Sequence, residues 1–288
     1  MEHPTLKPYL AEDFPFDFSE GAFERIRQLL RECRNFDIGS YKDKYMKRRI
    51  SIRVRATRAP SAEAYSELLA GNEREIDALL KGLTIHVSQF FRNRSTFDKI
   101  RDEVLPPLVA RLQCEGREEM TLWSAGCSSG EEPYSLAIIL RDAFAEELKS
   151  LKVSLLATDI NEGILDVARE GAYMPERLQE TIPEVVARHF RPHGGKFHLA
   201  PDIRTMVEFR RGDLFDHASY CESDLILCRN VLIYFERKEQ ERILKGLAAS
   251  LTAGGILVLG RAETLVGEIR RRFTTVCPVE RIYMKNRT

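Results

Sequence analysis

Trp123-Ser124-Ala125-Gly126-Cys127-Ser128-Ser129-Gly130-Glu131-Glu132-Pro133 decides the fold. The apolar residues before it, 120–125, read as a short buried strand. Its glycines let the backbone turn sharply and leave room for a ligand against the main chain. Residues 131–148 then read as a helix, with Pro133 tolerated in the first turn. Working outward, strands are expected at 153–158, 206–210, 224–228, 256–260, 273–276 and 281–284. Helices are expected at 161–170 and 237–251, the latter closed by Gly254-Gly255. Strands alternating with helices indicate an α/β domain with a mainly parallel sheet. Residues 175–205 interrupt the alternation with Pro175, Pro183, Pro192, Gly194, Gly195 and Pro201. So long a stretch is expected to be an insertion with its own small structure.

Before residue 115 the periodicity is helical. Phe23, Ile26, Leu29 and Leu30, then Tyr65, Leu68 and Leu69, then Ile76, Leu79 and Leu80 recur at three- and four-residue spacing. Stops are expected at Gly39, Pro60, Gly71 and Gly82. This half reads as a small all-α domain. Its basic run, Lys42 to Arg58, contains a single acid, Asp43. On a helix, Lys44, Lys47, Arg48, Arg55 and Arg58 gather on one side, beside an apolar stripe of Met46, Ile50 and Val54. A solvated face is the ordinary reading of such a run.

The chain has 44 Lys+Arg and 44 Asp+Glu, which argues against a whole-surface nucleic-acid or membrane binder. The six cysteines form no C-x-x-C pair and sit beside no histidine cluster, so neither a zinc site nor a disulfide framework is expected. The first twenty residues do not read as a signal peptide, and no apolar run is long enough to span a bilayer. A cytoplasmic protein is expected.

Four further places can carry chemistry. Asp159 ends the second strand of the α/β half, where an acid can accept both hydroxyls of a ribose or simply cap the next helix. Gly212-Asp213-Leu214 places an acid after another strand, within reach of an adenine amino group or in a plain turn. Cys228-Arg229-Asn230-Val231-Leu232-Ile233-Tyr234-Phe235 turns polar where an apolar strand ends, the side on which parallel sheets bind ligands. Leu83-Thr84-Ile85-His86-Val87-Ser88-Gln89-Phe90-Phe91-Arg92 lies where the two halves meet; by itself it reads as core phenylalanines and a surface arginine.

Ser88-x-Phe90-Phe91-Arg92, Gly130-Glu131-Glu132-Pro133-Tyr134-Ser135, Ala157-Thr158-Asp159-Ile160 and the 228–235 motif, in this order and spacing, resemble the chemotaxis receptor methyltransferase (CheR) family. The resemblance spans about residues 18–283. It implies a helical receptor-recognition domain with its linker at 1–90. It implies a class I S-adenosylmethionine-dependent methyltransferase domain at 91–288, Rossmann-like, with a small β-rich insertion at about 175–205. The implied activity is methyl transfer from S-adenosylmethionine to glutamate carboxylates of methyl-accepting chemotaxis receptors, with S-adenosylhomocysteine as product.

The resemblance also implies residue roles. Ser88 and Arg92 would contact the methionine end of the cofactor and Glu131 its amino group. Asp159 would hold the ribose, Asp213 and Leu214 would border the adenine, and Asn230 and Val231 would line the pocket floor, with His86 and Gly126 completing the cofactor site. Arg92 and Tyr234 would flank the transferred methyl as the catalytic pair. Lys44, Lys47, Arg48, Arg55 and Arg58 would face an acidic receptor helix. No metal, nucleic acid or membrane insertion is implied, and a monomer is expected.

The sequence departs from the family pattern at His86, where Asn is usual, and at Ser88, where Thr is usual. Gly260-Arg261-Ala262-Glu263 stands for a pattern closer to Gly-His-Ser-Glu. The Arg191–Lys196 loop is short, which points away from docking of a receptor tail on the insertion. The competing readings are a methyltransferase for another protein or small-molecule acceptor and a non-enzymatic cofactor-binding partner protein. A dehydrogenase is disfavoured, since the loop lacks G-x-G-x-x-G.

Overall fold

The computed structural model describes residues 18–34, 36–83 and 88–287. The chain packs as two units, residues 1–85 and 86–288. The first holds helices α1 (Glu20–Arg34), α2 (Asp43–Thr57), α3 (Ala62–Leu69) and α4 (Glu73–Leu83). Their three- and four-residue apolar spacing buries Phe23, Ile26, Leu30, Met46, Ile50, Val54, Tyr65, Leu69, Ile76 and Leu79. Leu68 departs from the expected stripe and is 37% exposed, because Tyr65 and Leu69, four apart, already define the buried line of a two-turn helix. Helix α4 ends at Leu83, one residue after the stop expected at Gly82, and Arg49 Nε donates to the Gly82 carbonyl at 2.7 Å. Arg53 lays its aliphatic stem over the same glycine and pairs with Glu75, whose Oε1 also accepts from Tyr65 Oη.

The second unit opens with α5 (Arg94–Lys99) and α6 (Leu105–Cys114), joined by a π-helical turn at Ile100–Val104. There follow β1 (Glu119–Ala125), α7 (Glu131–Ala143), β2 (Lys152–Asp159) and α8 (Glu162–Glu170). The insertion comes next: β3 (Ala172–Tyr173), α9 (Pro183–His189), β4 (Phe190–His193), β5 (Lys196–Leu199) and α10 (Pro201–Arg204). The core then resumes with β6 (Val207–Arg211), β7 (Ser223–Cys228), α11 (Arg237–Ser250), β8 (Leu251–Leu259), β9 (Phe273–Cys277) and β10 (Ile282–Lys285). The sheet order is β6-β2-β1-β7-β8-β10-β9, parallel except for β10. The chain winds outward from β1 to β6 on one side and from β7 to β9 on the other. The reversal between β1 and β7 opens a crevice at their carboxyl ends, the place where such sheets take ligands.

Central strands read as continuous apolar runs because both faces are covered. Leu225, Ile226, Leu227 and Cys228 are all buried, as is Trp123, each apolar side chain contributing roughly 1.5–3 kcal/mol. Trp123 Nε1 donates to Thr158 Oγ1 at 3.0 Å, tying β1 to β2. At the opposite edge, buried Asp224 accepts from Thr121 N at 2.9 Å and Thr252 Oγ1 at 3.0 Å, stapling β7 to both neighbours.

Three expectations change in detail. Helix α7 ends at Ala143, not 148, where the chain turns to bury Phe144. Gly254-Gly255 does not close α11. Leu251 is already extended and pairs with Ser223, and the glycines carry an irregularity inside β8, Gly254 at φ 73°. The insertion is built as a three-stranded sheet, β3-β5-β4, with as much helix as strand around it. Its β4–β5 hairpin turns on Gly194 and Gly195, both at positive φ, as a two-residue turn requires.

Candidate active site at the carboxyl edge of the sheet

Gly126 leaves β1 at φ 77° and Gly130 starts α7 at φ 89°, so both make the turns expected of them. The room beside them, however, is already filled. A Cβ on Gly126 would come within 2.6 Å of Val231 Cγ2, and one on Gly130 within 2.9 Å of Ala168 Cβ. These glycines therefore serve close packing, and Val231 lies directly on the turn. Gly126 N and Cys127 N both donate to Thr158 O, and Ser128, at φ 52°, donates its N–H to Asp159 Oδ2 at 2.9 Å. Asp159 Oδ1 takes Asn161 N at 3.0 Å. Asp159 is not the cap of α8; Asn161 is, accepting from Ile164 N. That leaves the Asp159 carboxylate braced at the crevice, and each of its oxygens can accept more than one bond. Beside it, Gly212 N donates to Asp159 O, and Asp213 Oδ1 accepts from Phe215 N, which places Asp213 and Leu214 on the neighbouring turn.

Glu131 is 0% exposed. Both its carboxylate oxygens accept from Ser129 Oγ at 2.8 Å, and Arg177 Nε lies 3.7 Å away. Burial pushes its carboxyl above the usual glutamate range, with Ser129, its own backbone, Arg177 and Ser88 pulling it back. Arg177 comes from the insertion and also donates to Ser88 O. The insertion holds the 88–94 segment elsewhere too. Phe90 N donates to Arg177 O at 2.8 Å, Arg94 N to Glu180 Oε2 at 3.1 Å, and the Phe90 ring meets Tyr173 and Phe190 edge-on.

At the end of β7, Arg229 is 5% exposed. Its Nη1 lies 3.1 Å from Glu132 Oε2, and its Nη2 donates to Arg92 O at 2.8 Å and Asn93 Oδ1 at 3.2 Å. Arg92 is thereby carried to the same edge as the 229–234 loop. Asn230 stands at φ 59°, and its N–H donates to Glu263 Oε2 at 2.9 Å. Buried Glu263 also accepts from Gly260 N at 2.6 Å and Ile233 N at 3.2 Å. Burial raises its carboxyl, against the pull of these backbone donors. Tyr234 follows in a 3-10 turn, half-buried. Five non-glycine residues of this unit hold positive φ among the described residues: Phe91, Asn93, Ser128, Asn230 and Arg281. All lie at this edge, as expected where backbone strain is held for function. The thiols of Cys127 and Cys228 are fully buried, which pushes them far above the ordinary range and removes them as nucleophiles.

With this geometry in place, a family model described as "CheR methyltransferase, SAM binding domain" matches residues 86–280, and "CheR methyltransferase, all-alpha domain" matches residues 21–84. The chain belongs to the CheR methyltransferase family. Chemotaxis protein methyltransferase 2 of Pseudomonas aeruginosa is 33% identical over 257 residues, covering 87% of this chain and 89% of that protein. The chemotaxis protein methyltransferase of Salmonella typhimurium is 32% identical over 269 residues, covering 90% of each. A 104.1 kDa protein of Rhodobacter capsulatus is 32% identical over 263 residues, which are 91% of this chain and 27% of that one.

S-adenosylmethionine is the cofactor of this CheR domain, and the donor set suits it. A fully buried carboxylate, Glu131, held by the Ser129 hydroxyl and a more distant guanidinium, is what an ammonium group requires. Asp159, on the next strand, suits vicinal hydroxyls. The described residues contain no cluster that could hold a metal ion, and no described helix is long and apolar enough to cross a membrane.

His86 lies outside the described residues. Ser88, Arg92, Gly126, Glu131, Asp159, Asp213, Leu214, Asn230, Val231 and Tyr234 all belong to the second unit. In the first unit, Lys44, Arg48, Arg55 and Arg58 are exposed along α2 and its end, while Lys47 is partly covered, its Nζ 5.0 Å over the Phe23 ring.

Sequence reasoning missed the roles of Arg177, Glu263 and Glu280. Arg261, a departure from the CheR pattern, pairs with Glu280 at 2.6 Å, and Ser95 and Thr96 hydroxyls also donate to that acid. Burial opposes ionisation of Glu280, but Arg261, Thr96 and Ser95 outweigh it and hold its carboxyl down at about 2, against an ordinary 4.5. A depressed carboxyl stabilises the fold above its unfolded value and loses that contribution as pH falls from there toward its folded value. Wild type is therefore expected to exceed Arg261→Ala in stability by about 1 kcal/mol near neutrality, because the Thr96 and Ser95 hydroxyls remain and the half-exposed guanidinium is screened by solvent. In urea unfolding the gap should close between pH 4.5 and 2; a gap independent of pH would exclude the pairing as its source.

Proposed function

We propose that the protein esterifies glutamate side chains on the cytoplasmic helices of methyl-accepting chemotaxis receptors, using S-adenosylmethionine, in the cytoplasm and as a monomer. The observation that carries the reading is the buried, hydroxyl-braced Glu131 carboxylate beside Asp159, at the sheet's switch point, in a chain of this family. In this reading Ser88, Arg92 and Glu131 hold the methionine end, with His86 and Gly126 alongside. Asp159 holds the ribose, Asp213 and Leu214 border the adenine, and Asn230 and Val231 form the floor. The relatives named as chemotaxis methyltransferases support the acceptor class.

The cofactor supplies a methyl on a sulfonium. The acceptor glutamate, with an ordinary pKa of about 4.3, is already ionised at neutral pH and needs no general base. Its carboxylate oxygen forms the new bond to carbon as the carbon–sulfur bond breaks, leaving a neutral ester and a neutral thioether. The protein's work is to align the two groups and exclude water. Arg92, its main chain gripped by Arg229, orients the carboxylate, and Tyr234 walls the reacting centre. Arg92→Ala is expected to lower kcat by about ten- to a hundred-fold, and Tyr234→Phe by less. Full turnover in both variants, with unchanged cofactor affinity, would remove them from the catalytic role. The basic face of α2, with Lys44, Lys47, Arg48, Arg55 and Arg58, meets the acidic receptor helix.

The deciding experiment incubates the protein with methyl-labelled S-adenosylmethionine and membranes holding the organism's own chemoreceptors. Base-labile label on the receptor band supports the glutamate ester. Cofactor binding by calorimetry without such label points to another acceptor or to a binding role.

A further inference from the structure

A second concave feature lies on the catalytic unit, away from the proposed cofactor residues. Thr264, Arg270, Arg271, Thr275, Arg281 and Tyr283 line a cleft of about 560 Å³. Its floor is one face of the β9–β10 hairpin, where Thr275 and Tyr283 stand opposite each other in register. Its far wall is the 3-10 helix Gly267–Arg272. No acid lines it. Among the described residues, Arg270, Arg271 and Arg281 are paired with no carboxylate, whereas neighbouring Arg261 is held by Glu280. In a chain with equal numbers of acidic and basic residues, such a local surplus is a feature of this surface.

One end of the cleft, with Thr264 and Arg281, lies at the acceptor edge, and the other, with Arg270 and Arg271, runs toward the opposite end of the β9–β10 hairpin. β8 is parallel to β7, with Leu259 opposite Cys228, so residues 229–234 and 260–265 leave the sheet side by side. Thr264, on the wall of the cleft, follows Glu263, the carboxylate that pins Asn230 and Ile233. Arg281 is at the same edge. It holds a left-handed backbone at φ 55°, its carbonyl accepts from Leu259 N, and its Nε donates to Arg261 O. Next in the chain to cleft-lining Pro278, apolar Val279 is 68% exposed.

We propose that this cleft seats acidic side chains of the acceptor helix that flank the methylated glutamate, with Val279 against that helix's apolar face. The inference rests on the receptor reading above and adds a recognition surface on the catalytic unit itself. Guanidiniums at a rim set attraction and register for a carboxylate-rich helix. An acidic helix suits the feature better than a small phosphate ester does. Arg281 stands at the acceptor edge, whereas Arg270 and Arg271 lead into the other end of β9, where Asn286 Nδ2 donates to Arg271 O, so the cations are spread along the hairpin over more than one small ester would span, and the buried rings of Phe273 and Tyr283 offer no exposed stacking face.

The test uses the full chain and a soluble cytoplasmic fragment of a methyl-accepting receptor from the same organism. For the double variant Arg270→Glu/Arg271→Glu, KM for the fragment is expected to rise about ten-fold or more, with a shallower salt dependence. The kcat at saturating fragment and the cofactor Kd should stay within two-fold of wild type on the same scale. Arg281→Gln should raise KM by a smaller factor. KM values within about two-fold of wild type overturn the proposal while leaving the receptor reading intact. Fragment binding that depends on these arginines, without any base-labile label, supports the surface and overturns the reading. Arginine-dependent binding of tripolyphosphate with an unchanged fragment KM would assign the cleft to a small polyanion and overturn the proposal. Absence of both label and fragment binding in wild type overturns both.

Discussion

Arg229→Ala is expected to destabilise the catalytic unit by about 3–5 kcal/mol. The guanidinium is buried and reaches three acceptors, Glu132 Oε2, Arg92 O and Asn93 Oδ1. Removing it leaves the largely buried Glu132 carboxylate without its cation, with the Ser124 hydroxyl donating to it at 2.9 Å. It also frees the 91–93 segment, where Phe91 and Asn93 both hold positive φ, so turnover should fall along with stability. Arg229→Lys should recover only part of the loss, because one ammonium cannot reproduce a planar fork bridging three acceptors. Glu132→Gln in the Arg229→Ala background should be less unstable than Arg229→Ala alone, since the uncompensated charge is gone. Urea unfolding of the three variants checks this. A loss below about 1 kcal/mol for Arg229→Ala, or no relief in the double variant, would falsify the account.

Glu131→Gln should separate stability from binding. Burial holds this carboxyl above its ordinary range, so the ionised form is a cost to the unliganded fold. The sign follows: an acid with a raised folded pKa destabilises the fold increasingly as pH climbs from its unfolded value through its folded one. Glutamine keeps the shape, and its carbonyl can still accept from Ser129. The variant is therefore expected to match or exceed wild type in unliganded stability at pH 7. It is expected to bind S-adenosylmethionine about ten-fold or more weakly, the scale of one lost charge-assisted bond. Wild-type affinity should fall with decreasing pH as Glu131 takes up a proton, beginning above the usual glutamate range. The Gln variant should lack that dependence. Calorimetric titrations from pH 5 to 8 decide it. Parallel pH profiles in the two proteins would mean that Glu131 does not meet the ammonium group.

How much of this was legible from the chain can be judged residue by residue. The strand at 120–125, the turn after it and Asp159 at the end of β2 are readable because a short apolar run closed by a Gly-rich turn, and polarity at a strand end, are local signals. Gly254-Gly255 misled because a Gly pair serves equally as a helix stop or as an irregular strand entry. The glycines at 126 and 130 suggest room for a ligand, whereas the packing puts Val231 and Ala168 in that space.

The site's supports were out of reach for a different reason. Arg229 finds Glu132 and Arg92, Glu263 finds Asn230 and Ile233, Arg177 finds Ser88 and Glu131, and Arg261 finds Glu280. Each partner is remote in sequence, so no periodicity or propensity marks it. Which strand ends lie side by side, and hence which charges meet, follows from the strand order β6-β2-β1-β7-β8-β10-β9. By itself the sequence determined the α/β alternation, the helical first half, the family and the chemistry available at the carboxyl edge, because those are carried by local pattern and motif order. Only the tertiary structure decided how buried charges at that edge are compensated, because pairing a charge in a low-dielectric interior depends on distance and geometry that the chain acquires when the sheet is assembled.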